Sequence, residues 1–134
     1  MNIACFDDLL QAANAQDQPQ QLLFVFAGAE LPADATIEQE AQFRAGEGGE
    51  LAPQMCVDKL ARDLPGFDAL AREASLAGPP WAIVFTAALS GRNGAPPSVA
   101  DTERALQDMV DAVKAGRLDG LLPFNRAGLP VQLA

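Results

Sequence analysis

The run Trp81-Ala82-Ile83-Val84-Phe85-Thr86-Ala87-Ala88-Leu89 constrains this chain most. It holds a single polar residue and is bounded by Gly78-Pro79-Pro80 before and Ser90-Gly91-Arg92-Asn93-Gly94 after. A stretch of that length, rich in β-branched and aromatic side chains between turn formers, reads as a strand buried on both faces. A second run, Leu22-Leu23-Phe24-Val25-Phe26-Ala27, closes on Gly28 and reads the same way. Two such strands need layers of helix above and below them, which points to an α/β architecture.

The intervening segments supply those helices. Ile3, Phe6, Leu9, Leu10 and Ala13 fall on one helical face, with Asp7 and Asp8 near its positive end. The polar run Gln16-Asp17-Gln18-Pro19-Gln20-Gln21 ends that helix as a connector. Thr36-Ile37-Glu38-Gln39 has capping-box spacing and opens a short helix to about Ala45, with Gly46 suited to its end. Leu51 to Val57 reads as a strand, confined by Pro53 to an edge or to its own beginning. Phe67, Leu70, Ala71 and Ala74 mark a further helix ending at Gly78. Ser98 caps the last one, whose inward stripe is Leu106, Met109, Val110 and Val113 and whose stop is Gly116. Leu121 to Leu133 reads as a hairpin turning at Asn125 to Gly128, its prolines suited to a sheet edge.

The order α-β-α-β-α-β-α-β-β predicts a single α/β domain over residues 1–134. Its expected core is a mixed, mostly parallel sheet of about five strands flanked by helices, with the C-terminal β-hairpin at the edge. At 134 residues one domain is the expected number. Parallel strands would bring their C-terminal ends to one rim, where open α/β sheets bind ligands. That rim would collect Glu30 from the first strand, Asp58 and Lys59 from the second, and Ser90, Arg92 and Asn93 from the third. Such a set suits an anionic or zwitterionic metabolite, with Arg92 and Lys59 as anion anchors and Glu30 or Asp58 as acid/base or metal ligand. The alternative is that these are ordinary solvated loop residues and helix caps.

Several chemistries are excluded or weakened by composition. Histidine is absent, so neither a Ser-His-Asp nor a Cys-His mechanism can be assembled within the chain, nor a His-ligated metal. The two cysteines, Cys5 and Cys56, are too few and too distant for a disulfide framework or a zinc site. Cys56 is expected inside a strand as an inert buried thiol; with Lys59 three residues on, a thiol sensor is the alternative. The loop after Leu89 is neither a Walker loop nor a dinucleotide fingerprint, and Gly91 and Gly94 read as positive-φ turn residues. Gly46-Glu47-Gly48-Gly49 precedes a strand and is flanked by carboxylates, so it is no phosphate cradle. No catalytic set, cofactor or metal site is expected.

A net charge of −9 repels nucleic-acid phosphates and anionic lipid. No apolar run approaches the ~20 residues of a membrane span, and the first residues lack the basic start of a secretory leader, so a cytoplasmic protein with reduced thiols is expected. Glu30, Asp34, Glu38, Glu40, Glu47 and Glu50 face only Arg44 between positions 30 and 50. This stretch is either a solubilising face or a docking surface for a basic partner.

Four stretches also resemble a family of short bacterial proteins often labelled "ribonucleotide reductase subunit alpha". They are Leu23-Phe24-Val25-Phe26-Ala27-Gly28-Ala29-Glu30-Leu31-Pro32, Met55-Cys56-Val57-Asp58-Lys59, Trp81-Ala82-Ile83-Val84-Phe85 with Ala88-Leu89-Ser90-Gly91-Arg92, and Leu122-Pro123-Phe124-Asn125-Arg126. The label does not describe an activity of this chain. The large subunit of that enzyme needs a thiyl cysteine, a reducing pair and shuttle cysteines, whereas Cys5 and Cys56 are all the chain has. The expectation is therefore a non-catalytic module that binds an unknown protein partner or forms a homodimer.

Overall fold

The computed structural model describes residues 3–31, 34–45 and 50–132. In chain order the elements are α1 (Phe6–Asn14), β1 (Gln20–Glu30), α2 (Ile37–Arg44), β2 (Glu50–Leu60), α3 (Phe67–Ala77), β3 (Ile83–Ser90), α4 (Val99–Lys114) and β4 (Leu122–Asn125), with a 3-10 turn at Ala61–Asp63. The strands form a four-stranded sheet of order β2-β1-β3-β4 in which every neighbouring pair is antiparallel.

That result overturns the expected mostly parallel sheet of about five strands. β2 and β3 do run in the same direction, joined by α3 as a parallel crossover requires. However, β1 lies between them and opposes both. Alternating strand and helix in sequence fits either arrangement, because an apolar run carries no sign of its direction. The C-terminal hairpin reduces to one strand, β4, at the edge; its return is a single bridge between Phe124 and Pro130. β1 and β3, the latter formed by most of the Trp81–Leu89 run, are the two inner strands of the sheet.

Successive β1 side chains enter different cores. Leu22, Phe24 and Phe26 meet Phe6 and Leu10 of α1, Phe67, Leu70 and Ala74 of α3, Trp81, Val84 and Phe124. Leu23, Val25 and Ala27 meet Phe85 and the Met109/Val113 stripe of α4. Helices therefore cover both faces, and residues 22 to 27 are each no more than 3% exposed. The first core is aromatic, with the Phe6 ring 5.9 Å from Phe24, 5.3 Å from Phe67 and 5.4 Å from Phe124.

α1 is tied at its start to two other parts of the chain. The Phe6 amide donates to the Gly128 carbonyl at 2.7 Å, and Asp7 Oδ1 accepts from the Phe67 amide at 2.9 Å. Asp7 thus caps α3 from a neighbouring helix, because Gly66 has no side chain to do so. The Ser98 cap forms as its position predicts, accepting from the Asp101 amide at 3.1 Å. β2 is an edge strand, one of the two placements that Pro53 allows. The register slips between Phe26↔Met55 and Ala27↔Pro53, leaving Gln54 without a partner. The Gly46–Gly49 run lies outside the described residues.

Thr86 sits on the aromatic face at 1% exposure, and its Oγ1 has no hydrogen-bond partner. An unsatisfied buried hydroxyl costs about 1–3 kcal/mol. Thr86→Val keeps the shape and removes that cost, so it should raise the denaturant midpoint with an unchanged m-value, by about 1 kcal/mol. Phe6→Ala should lose about 3–5 kcal/mol in the same measurement.

Candidate functional site

Antiparallel pairing decides which expected site residues meet. β1 begins where β2 and β3 end, so one end of the sheet gathers Gln20, Leu60 and Ser90. Asp58 and Lys59, opposite Leu23 and Leu22, lie toward that end. Glu30 lies at the other end, opposite Glu50. From the Asp58 register position to Glu30 is seven residues of strand, roughly 23 Å. The rim that was to unite Glu30, Asp58 and Arg92 does not exist, and Glu30 and Asp58 cannot share a metal ion.

Asp58 and Lys59 also point to opposite faces. Lys59 shares the face of Leu22, and its Nζ donates to Glu73 Oε1 of α3 at 2.7 Å. It is a strut between β2 and α3 rather than a free anion anchor. Asp58 shares the face of Leu23 and accepts from Gln21 Nε2 at 2.7 Å. Cys56, expected buried, is exposed. As a residue of an edge strand paired to Val25 it keeps one flank open to solvent.

Beyond β3 the chain makes a tight reversal. Arg92 and Ala95 exchange both backbone hydrogen bonds, at 3.0 and 2.9 Å, around Asn93 and Gly94. These two have φ of 54° and 78°, the pattern that makes Asn-Gly a favoured hairpin turn. Gly91 has a different reason to be glycine than the positive φ expected of it. A Cβ there would overlap the Ala95 carbonyl oxygen and crowd that of Pro19, which accepts from the Gly91 amide at 2.7 Å. Gln18 and Gln20 bind the turn to the start of β1. Gln18 Oε1 accepts from the Gly94 amide at 2.8 Å, and Gln20 Nε2 donates to Ser90 Oγ at 3.1 Å.

Two open clefts flank this turn. One, about 300 Å³, is lined by Asn14, Gln16, Asp17, Gln18, Gln20 and Arg62 among others. The other, about 220 Å³, runs from Ser90 and Arg92 past Pro96 and Pro97 to Ser98 and Asp101. Of the residues singled out from sequence, Ser90 and Arg92 line a cleft, whereas Asn93 shapes the turn between them. Arg62 and the amides of 14–20 were missed, although the glutamine-rich run 16–21 was their signal. Each cleft carries one arginine and one carboxylate, and the amide side chains of the first are already committed to the backbone. Among the described residues no group of three His, Cys, Asp or Glu side chains is placed to hold a metal ion, and no helix is long and apolar enough to cross a membrane.

Comparison with models of known protein families, with curated proteins and with solved structures finds no match to this chain. The family resemblance therefore rests on its four stretches alone.

Gly91→Ala should cost about 1–3 kcal/mol through overpacking against the turn. Its denaturant midpoint should fall well below that of Asn93→Gly, which retains the turn geometry.

Proposed function

We propose that this protein is a non-catalytic interaction module whose docking element is the arm 31–49, and that its partner presents a basic surface. The observation carrying this reading is α2. Its capping box is made, with the Thr36 amide donating to Gln39 Oε1 at 2.9 Å and the Gln39 amide to Thr36 Oγ1 at 3.1 Å. Yet none of its described side chains is buried, and Ile37 is 85% exposed. A polar helix of eight residues is well below the ~12–15 at which an isolated helix becomes even marginal in water. A surface that packs on it supplies what capping alone does not. The arm carries Asp34, Glu38, Glu40 and Glu47 between Glu30 and Glu50, against Arg44, which already pairs with Glu40 at 3.6 Å. Opposite charge on the partner would steer association and favour this orientation.

The sheet offers a direct test. Glu30 and Glu50 are register partners, so an Asn-Gly turn can replace residues 31–49 and close β1 on β2 as a simple hairpin. The shortened chain should melt within a few degrees of the full one. It should lose any salt-sensitive partner that the full chain retains from native lysate. Equal capture by both chains, or turnover of a metabolite by the full chain, would overturn the reading.

The second cleft supports another reading, a small-anion site at Arg92. Citrate or inorganic phosphate should then raise the melting temperature of the full chain, and Arg92→Ala should abolish the rise; no rise with either anion removes this reading. Exposure of Cys56 likewise favours a thiol sensor over an inert thiol, and alkylation without denaturant tests its access.

A further inference from the structure

The two edges of the sheet are treated differently. The outer side of β4 is closed by the chain that follows it: Asn125 and Val131 donate to the carbonyls of Leu129 and Pro123 at 2.9 and 3.1 Å, beside the Phe124–Pro130 bridge. Among the described residues nothing pairs with the outer side of β2. Its first half is spoiled for pairing by Pro53 and the unpartnered Gln54, but Met55 to Leu60 hold a continuous register with β1. Half of the backbone N–H and C=O groups of that stretch point outward, a template for one more strand.

The ground beside this edge is shaped for such a strand. Met55 and Val57 share the face of Phe26 and Phe24, and with Leu70, Ala74 and Ala77 of α3 they line a small apolar cleft of about 20 Å³. Its size admits no more than the tip of one aliphatic side chain. On the opposite face Cys56 and Asp58 are exposed. Strand addition uses this pairing of features, with main-chain hydrogen bonds for affinity and alternate side-chain pockets for register.

We infer that the Met55–Leu60 edge of β2 receives an extended segment of the basic partner, which adds to the sheet as a fifth strand. The inference rests on the reading of the arm, because β2 emerges directly from it. A strand laid along Met55–Leu60 has the apolar cleft at its Met55 end, the end nearer the arm. Charge argues for a basic segment over a second copy of this chain. Two copies at −9 each repel, and antiparallel self-pairing centred on Asp58 sets two carboxylates face to face. The segment that fits alternates aliphatic and basic residues, so that one set of side chains meets the α3 groove while the other lies over Cys56 and Asp58.

Hydrogen exchange on the full-length Cys5→Ser chain, carrying a small spin label on Cys56, tests this. The probe is a terminally blocked peptide of about eight residues alternating valine and lysine. The outward amides of Met55–Leu60 should slow by about tenfold or more at saturation while those of β4 do not change, and the label should lose mobility. The same peptide with glutamate for lysine, or with a central proline, should do neither. Unchanged exchange at β2 with the lysine peptide overturns the inference, as does equal protection by the glutamate or proline peptide. The chain with 31–49 replaced by Asn-Gly separates the two readings. Lost lysate capture in that chain, alongside an unprotected β2 in the intact one, sinks the edge inference and leaves the arm standing. Unaltered capture by that chain sinks the arm reading.

Discussion

The structure depends on β1 being buried on both faces at once. Residues 22 to 27 put three side chains into each core, and fully burying a Leu, Val or Phe side chain contributes about 1.5–3 kcal/mol. No amphipathic strand can do this. It requires helices on both sides and a hydrogen-bonded neighbour on each edge, which β2 and β3 provide. α1 and α3 are held on one face by the Phe6 ring cluster, and Asp7 links their ends. α4 covers the other face through the stripe that ends at Val113, with Leu118 and Leu121 of the following segment packed beside it. Removing either layer would expose one half of β1 whatever happened to the other half.

That same strand separates the charged groups. A central strand opposed by both neighbours sends its own exit to one end of the sheet and theirs to the other. The acidic arm therefore grows from the end where β1 leaves and β2 enters. Arg62, Arg92 and the two clefts beside the Asn93-Gly94 turn occupy the opposite end. The separation along the strands is built by topology, which puts Glu30 and Glu50 at one end and Arg62 and Arg92 at the other. The bound state of Lys59 belongs to this picture too, since its bond to Glu73 holds α3 against the edge strand and spends its charge locally.

Much of the local structure was legible in the sequence because it is set by neighbouring residues. The Thr36/Gln39 and Ser98 caps, the Asn93-Gly94 reversal, the Gly116 stop and the edge placement of the Pro53 strand all follow from interactions within a few residues. Strand direction was not legible. Leu22 to Ala27 are apolar without alternation, and such a run is equally content beside a parallel or an antiparallel neighbour. The candidate rim inherited that ambiguity, so Glu30 was grouped with residues at the far end. The exposure of Cys56 was hidden for a related reason. Met55, Cys56 and Val57 read as uniformly buried, but at the sheet edge Cys56, on the face of Val25, stays exposed while Met55 and Val57 line the cleft beneath α3.

An open edge is ordinarily a hazard, and β2 carries the usual protections along half its length: a proline, a bulge and an acidic entry. Those devices stop at Gln54. From Met55 onward the strand is regular, with Asp58 as its exposed carboxylate and Lys59 already drawn onto α3. A chain guarding only against aggregation gains little by protecting one half of an edge and closing the other edge outright with its own tail. The asymmetry is accounted for if the regular half is kept available. Net negative charge then does the work of discrimination that the proline does elsewhere, repelling like copies while admitting a segment of opposite sign.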